Sequence, residues 1–75
     1  MVVLIMQIRI TSHAKERMQK YAISELWIKR AIEEPDSVIE SEQNRKIAQK
    51  HLNGLVLRVI YEIRENIVMV ITTYG

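Results

Sequence analysis

The periodicity of the apolar residues in this chain of 75 residues changes from that of helices to that of strands at its single proline, Pro35. After Pro35, apolar and polar residues alternate as they do in β-strands. Short polar pairs separate the segments, and one of them, Asn53-Gly54, is the pair that a type I′ hairpin turn favours most. The predicted strands are SVIESE at 37–42, RKIAQKHL at 45–52, LVLRVIYEI at 55–63 and IVMVITTY at 67–74. The second half therefore predicts an antiparallel meander.

The first half predicts one strand and two helices. Residues 2–10, VVLIMQIRI, are apolar and β-branched, as in a buried strand. Thr11-Ser12 signals the start of a helix at about 12–21, and Ser24 that of a second at about 24–34, which Pro35 ends. The order β-α-α-β-β-β-β predicts an α+β fold in a single domain, with an antiparallel sheet and both helices packed on one face. The first strand can lie at an edge of the sheet or in its middle.

Composition excludes several kinds of site. With no cysteine there is no disulfide and no thiolate ligand, and two histidines with scattered carboxylates predict neither a metal site nor a cofactor. The longest apolar run, 1–6, is far shorter than the roughly 20 residues of a membrane span. It also lacks the flanks of a signal peptide. We therefore expect a cytoplasmic protein that makes no membrane contact.

The formal net charge of +2 is unevenly distributed. Two segments, 9–30 and 45–58, are basic, and the segment between them, 33–42, contains acids and no base. This order can produce a basic surface with an acidic rim, which would suit an anionic partner. The alternative is that the charges solvate separate faces.

A two-residue Asn53-Gly54 loop fixes which side chains of its hairpin share a face. Arg58 lies in mid-strand and is costly to bury unpaired, so we expect it to face solvent, a carboxylate such as Glu62 or a ligand phosphate. A helix-covered sheet with such a polar open face suits an RNA backbone and equally a partner protein. The predicted pairs are Gln49 with Arg58, Arg45 with Glu62, and His51 with Val56.

A second basic group lies on the first helix. His13 and Arg17 are four residues apart, so they share one side of the helix, with Lys20 close behind. His13 lies in the first turn, where free N–H groups and the helix dipole favour anions. These residues form a candidate phosphate-contact stripe. The alternatives are an exposed or capping His13 and an Arg17 that pairs with a sheet carboxylate.

The aromatic residues have structural interpretations as well as functional ones. Tyr61 is expected in the core, and Tyr74 is expected either as a packed lid or as a functional group. Trp27 is expected in the core or as an interface anchor rather than as a base-stacking platform.

The order of short motifs over residues 8–74 resembles a prokaryotic family catalogued as DUF 4258. A strand is followed by His-Ala-x-x-Arg-Met, Ile-Ser, Pro, Arg, Leu-Arg-Val and Val-x-Thr-x-Tyr. This layout is similar to the RelE, ParE and BrnT toxins of toxin–antitoxin pairs, which implies a RelE-like toxin fold over residues 1–75 and an antitoxin partner. The matching positions are His13, Ala14, Arg17, Met18, Ile23, Ser24, Pro35, Arg45, Arg58, Val70, Thr72 and Tyr74.

That resemblance implies a metal-independent ribonuclease acting on messenger RNA at the ribosome, although ParE-type members share the fold without being ribonucleases. In such cleavage the ribose 2′-OH attacks the adjacent phosphate. His13 would act as base or acid, and Tyr74 would transfer the second proton or stack on a base. Arginines would hold the phosphate. The candidate catalytic residues are His13, Arg17, Arg58 and Tyr74, and the candidate phosphate contacts are Arg45, Arg58, Lys20 and His51.

The other hypothesis is a non-enzymatic protein-interaction module, either a homodimer or a domain that binds an antitoxin-like partner. The apolar first strand or Trp27 would then lie at the interface. A third interpretation is a small domain whose function the residues do not indicate.

Overall fold

The computed structural model describes residues 7–52 and 54–75. The predicted order β-α-α-β-β-β-β is confirmed. Residues 2–6 of the predicted first strand, and Asn53 of the predicted hairpin turn, lie outside the described residues. The elements are β1 (Gln7–Ile10), α1 (Ser12–Tyr21), α2 (Glu25–Glu33), β2 (Ser37–Glu40), β3 (Arg45–Leu52), β4 (Leu55–Arg64) and β5 (Ile67–Tyr74).

Both helices begin at the capping residues that the sequence predicts. The Thr11 hydroxyl accepts from the Ala14 N–H at 3.1 Å at the start of α1. The Ser24 hydroxyl accepts from the Trp27 N–H at 3.3 Å at the start of α2. Each bond satisfies an N–H group that has no partner inside its own helix. Helix α1 ends at Ala22, whose φ of 55° is left-handed and whose N–H bonds back to the last turn.

The sheet has the strand order β1-β5-β4-β3-β2. Strands β2 to β5 form the predicted antiparallel meander, but β1 pairs with β5 in parallel, so the expectation of an antiparallel sheet is wrong at this edge. The reason is topological. The helices carry the chain to the far edge, where β2 runs in the opposite direction to β1. Three hairpins then reverse the direction of the chain three times, so β5 runs alongside β1 in the same direction.

The core lies between the helices and one face of the sheet, as predicted. Residues of both helices join alternate residues of the strands in a single buried cluster. Tyr61 belongs to this cluster, and burial raises the pKa of its hydroxyl. Trp27, in contrast, keeps 37% of its surface exposed. The buried residues are Ala14, Met18, Ile28, Ala31, Ala48, Leu57, Val59, Tyr61, Val68 and Val70.

The β3–β4 hairpin has the predicted register. Leu52 lies opposite Leu55, and Gly54 has the positive φ of 87° that such a turn requires. The three predicted pairs, Gln49 with Arg58, Arg45 with Glu62 and His51 with Val56, are confirmed.

Candidate functional site

The face of the sheet opposite the helices carries most of the candidate residues, and we call it the open face. Side chains alternate along each strand, so the pairing of the strands decides which residues share this face. Four guanidinium groups and one carboxylate belong to it, a formal net charge of +3 on a chain of +2. These charged strand residues are Arg9 on β1, Arg45 on β3, and Arg58, Glu62 and Arg64 on β4.

Two of the arginines share the one carboxylate. The Nε of Arg64 lies 3.1 Å from Oε1 of Glu62, and the Nε of Arg45 lies 3.9 Å from Oε2. The Arg45 Nε is buried without a hydrogen-bond partner, so the nearby carboxylate is its main electrostatic compensation. We call this group the Glu62 cluster. The single carboxylate offsets one of the two positive charges of this cluster.

Arg58 has a different neighbour. It lies opposite Tyr74 of β5, and its guanidinium carbon is 5.8 Å from the centre of the tyrosine ring, within the range of a cation–π contact. Within residues 7–52 and 54–75, no carboxylate lies within ion-pair distance of Arg58. Of the predicted alternatives, pairing with Glu62 is not observed among the described residues, whereas the Arg58 side chain is partly exposed to solvent. Its guanidinium therefore keeps donors for a bidentate contact with a phosphate.

A β-bulge places Tyr74 on the open face. In the first part of the β4–β5 ladder Tyr61 pairs with Val70, and beyond the bulge Ile60 pairs with Thr72, so Ile71 is the extra residue. Had the first register continued, Arg58 would lie opposite Thr73, and Tyr74 would point toward the helices.

Two threonines hold the chain on either side of this bulge. Thr11 donates its hydroxyl proton to the Ile71 carbonyl at 3.0 Å, and its N–H bonds to the Val70 carbonyl. Thr73, which is fully buried, donates its hydroxyl proton to the Arg58 carbonyl at 2.8 Å. The N-cap residue of α1 thus also binds the bulge through a hydrogen bond. The Thr73 hydrogen bond stabilises the register that pairs Arg58 with Tyr74.

His51 is held by a carboxylate. Oδ2 of Asp36 accepts from the His51 backbone N–H at 2.6 Å and lies 3.0 Å from its Nδ1. These bonds, the backbone one first, lower the pKa of Asp36 below its usual 3.8. An ionised carboxylate has no proton to give, so Nδ1 must carry the hydrogen. Nε2 of the neutral ring is then free to accept a proton.

The segment before β2 is fixed by β3. The Lys50 ammonium donates to the Glu34 carbonyl at the end of α2, at 2.8 Å, and the Asp36 N–H donates to the Gln49 carbonyl, also at 2.8 Å. These contacts bring Asp36 to the end of the open face where His51 lies.

The two pairs, Asp36 with His51 and Arg58 with Tyr74, lie at the same end of the open face. His51 is opposite Val56, and Arg58 is two residues beyond Val56 on the same side of β4. Diagonal neighbours of this kind are about 7–8 Å apart, a gap that a phosphate group and long side chains can bridge. An imidazole nitrogen, a guanidinium and a phenol therefore flank one strip of the sheet.

The candidate residues of α1 lie in the other layer. Ala14 and Met18 pack α1 against the helix-covered face, and His13 and Lys20 are exposed. Arg17 donates from Nη1 to the Tyr21 hydroxyl at 3.4 Å, so it makes no pair with a sheet carboxylate.

The open-face arginines and the α1 group are thus kept apart. Within the described ranges, no hydrogen bond or ion pair joins the α1 residues to Arg45 or Arg58. The structure brings His51, Arg58 and Tyr74 to one surface and does not bring His13 and Arg17 into contact with them.

Sequence reasoning missed three contributors to the open face: Asp36, Arg9 and Arg64. The signal for Arg64 was available, because it has the same parity as Arg58 along one strand. Arg9 required the pairing of β1 with β5, and Asp36 required the register between β2 and β3. Alternation within one strand indicates neither of these.

Neither a metal-binding cluster nor a membrane-spanning helix is present in the part of the chain that the structure describes. No group of three or more histidine, aspartate or glutamate side chains there is placed to hold a metal ion. The described helices are too short and too polar to cross a membrane.

Comparison with known proteins gives one match. A family model described as a domain of unknown function, DUF4258, matches residues 10–75. Neither the curated proteins nor the solved structures include a significant match to the chain.

Proposed function

The chain belongs to the DUF4258 family, and we propose that it binds the phosphodiester backbone of RNA on its open face and cleaves it without a metal ion. The main support is that the Arg58–Tyr74 cation–π pair lies beside a histidine whose Nδ1 is engaged by Asp36 and whose Nε2 makes no hydrogen bond among the described residues. These groups supply the cation, the proton donor and the proton acceptor that such cleavage requires.

The proposed binding step uses the excess of guanidinium groups. Arg58 offers a fork of N–H donors to the scissile phosphate, and Arg9, which is exposed at the β1 edge, extends the positive strip across the sheet. The Tyr74 ring, 36% exposed, adds a surface on which a neighbouring base can stack. The Glu62 cluster contributes less, since its guanidinium groups already face a carboxylate.

In the proposed reaction, Nε2 of His51 takes the proton of the ribose 2′-OH. The 2′ oxygen then forms a bond to phosphorus, and the bond from phosphorus to the 5′ oxygen breaks. The Tyr74 hydroxyl protonates the leaving 5′ oxygen, and Arg58 balances the negative charge on the phosphate oxygens. The products are a 2′,3′-cyclic phosphate and a 5′-hydroxyl. Asp36 holds the imidazole in the tautomer that this step needs.

This assigns the proton transfer to His51 rather than to His13. The Asp36 contact orients His51, and its diagonal position relative to Arg58 places it near the proposed phosphate site. His13 lies on α1, on the far side of the core.

The cellular part of the proposal comes from the resemblance to RelE, ParE and BrnT. A RelE-like fold and the RNA chemistry above would make the chain the toxin of a toxin–antitoxin pair, acting on messenger RNA, with the ribosome as the site of action. Induced expression in a bacterial host should then arrest growth, and Arg58→Ala should relieve the arrest. Growth at the uninduced rate would contradict the toxin role.

The direct test is cleavage of a labelled single-stranded RNA by the purified chain in the presence of a metal chelator. We expect fragments ending in a 2′,3′-cyclic phosphate, identified by mass spectrometry, and no cleavage of the matching DNA, which lacks the 2′-OH. His51→Ala and Tyr74→Phe should each abolish most cleavage. Lys29→Gln removes an exposed cation of α2 and is the matched control that should cleave normally.

The outcomes separate the parts of the proposal. If RNA is bound but remains intact, the proposed cleavage step is wrong and the proposed binding surface still stands. Intact and unbound RNA would overturn the proposal. Loss of cleavage in His13→Ala with retention in His51→Ala would move the site to α1.

A further inference from the structure

The helix-covered side of the molecule contains an apolar cleft that the RNA proposal does not use. Its volume is about 410 Å³, and it lies where the end of α1 and the start of α2 meet the tip of the β3–β4 hairpin. The residues that line it include no charged side chain among those that the structure describes. They include Tyr21, Ile23, Trp27, Leu52, Leu55 and Leu57.

Three of the large side chains of this cleft are more exposed than apolar residues of a folded domain usually are. Leu55 is 65% exposed, Tyr21 39% and Trp27 37%. Single exposed apolar residues are common, but a contiguous group around a concave surface indicates a binding site. An aromatic residue in such a position is a typical interface anchor.

Cations surround the cleft at its helical rim. Lys20 holds its ammonium 5.5 Å from the centre of the Tyr21 ring, and Arg30 holds its guanidinium 5.9 Å from the centre of the Trp27 ring. Arg17 donates to the Tyr21 hydroxyl at 3.4 Å. Both aromatic anchors therefore have a positive charge next to them. An apolar floor with a basic rim is complementary to a segment that carries apolar side chains flanked by carboxylates.

We propose that this cleft binds an acidic amphipathic segment of a partner protein. The apolar side chains of the segment would fill the space between Trp27 and Leu55, and its carboxylates would pair with Arg30, Lys20 and Arg17. The site lies on the opposite side of the core from the open face, so it can be correct or wrong independently of the RNA proposal.

The chain supplies its own probe for this test, because Trp27 is its only tryptophan. We would titrate the full chain with a synthetic helical peptide that carries leucines at i, i+3 and i+7 and glutamates elsewhere. The expected result is a saturable blue shift of Trp27 emission, as the ring leaves water, with an affinity that falls as salt is added. A peptide with lysines in place of the glutamates should bind at least about tenfold more weakly.

Three variants test whether the acidic peptide binds in the cleft. Leu55→Ser should weaken binding of the acidic peptide by about tenfold or more, because it removes an apolar anchor without adding a charge. Leu55 is largely exposed, so the variant should fold. Ile39→Ser is the matched control, since Ile39 is 49% exposed but lies on the open face. It should bind normally. Arg30→Gln should weaken binding and flatten its salt dependence.

Several results would overturn the proposal. One is the absence of a saturable change with the acidic peptide, and another is equal binding of the lysine peptide. A blue shift produced by anionic lipid vesicles but not by the peptide would assign the cleft to a membrane surface. A shift that appears on raising the concentration of the chain alone would assign it to a second copy. RNA cleavage in these variants is a separate measurement and should be unchanged in Leu55→Ser.

Discussion

Arg45 and Arg58 lie on the same face of the same sheet but have different environments. Arg45 faces Glu62, which also binds Arg64, and its Nε is buried. Arg58 stacks on Tyr74 and faces no carboxylate among the described residues. A family motif that contains both arginines does not distinguish them. Their neighbours across the strands do, because Arg45 faces a carboxylate and Arg58 faces an aromatic ring.

The two arginines also differ in what they contribute, namely stability in one case and hydrogen-bond donors for a ligand in the other. Removing Glu62 would leave the Arg45 Nε without its nearest compensating charge, at a modest cost because the Arg45 side chain is 41% exposed to solvent. A cation on an aromatic ring keeps its N–H donors, since the ring binds the face of the guanidinium and leaves its edge to solvent or phosphate. We therefore expect Arg45 to matter mainly for stability and Arg58 mainly for ligand binding.

The largest expected effect is the contrast between Arg58→Ala and Arg45→Ala. Arg58→Ala should lower the single-turnover rate of RNA cleavage by about 10²–10³-fold, the loss typical for a group that stabilises transition-state charge. Arg45→Ala should lower it by less than about tenfold, since that guanidinium is already engaged. Equal losses in the two variants would break the distinction between the two arginines.

The second effect concerns the register that creates the Arg58–Tyr74 pair. Thr73→Val keeps the shape of a fully buried residue but removes its hydrogen bond to the Arg58 carbonyl. The free energy of unfolding should fall by about 1–2 kcal/mol, measured by urea denaturation. The ring-current shifts that Tyr74 induces on the Arg58 side chain should also weaken in NMR spectra. Thr73→Ser keeps the hydroxyl and should restore those shifts, and a failure to do so would show that the hydroxyl does not set the register.

The sequence predicted the parts of the fold that depend on local signals. Thr11 and Ser24 cap the helices where their side chains indicated. The observed β3–β4 register is the one that an Asn-Gly turn predicts, and it decides the face that carries Arg45, Arg58 and His51. Each of these results follows from a few adjacent residues, because capping and tight turns are decided by the chain within one turn.

The features that alternation did not predict depend on contacts between distant segments. The extra residue Ile71 lies in an uninterrupted run of apolar and β-branched residues. No residue type within this run marks the position of the bulge. Its signal lies sixty residues away, in the Thr11 hydroxyl that binds the Ile71 carbonyl. The face of Tyr74, and so its pairing with Arg58, therefore could not be read from β5 alone.

The β2–β3 register also could not be predicted from the sequence. Gln43 and Asn44 both have the left-handed backbone of a turn, but the Ser41 N–H bonds to the Arg45 carbonyl, so the loop contains three residues. Loop length decides register, and a change of one residue reverses the faces of β2. The contact between Asp36 and His51 depends on this register.

A third, smaller effect sharpens the difference between the two arginines. Glu62→Gln removes the carboxylate that Arg45 and Arg64 share, and the net charge of the open face rises by one. RNA affinity should rise by up to about fivefold, corresponding to ~1 kcal/mol or less for releasing such pairs. The free energy of unfolding should fall, since the buried Arg45 Nε loses its nearest compensating charge. Affinity by fluorescence anisotropy and stability by urea denaturation should thus change in opposite directions, and a joint fall would contradict the assignment.

The smallest effect is a pH dependence at the Asp36–His51 pair. The pKa of Asp36 is held below 3.8 in the folded chain, mainly by the His51 backbone N–H and then by its ring. A carboxyl with a lowered folded pKa adds stability above its unfolded pKa and loses it as pH falls through the folded value. The urea midpoint should therefore drop more steeply below about pH 4 in the native chain than in Asp36→Asn. His51→Ala keeps the backbone donor and should retain part of that slope, whereas a slope unchanged in Asp36→Asn would show that the carboxylate does not hold His51 in solution.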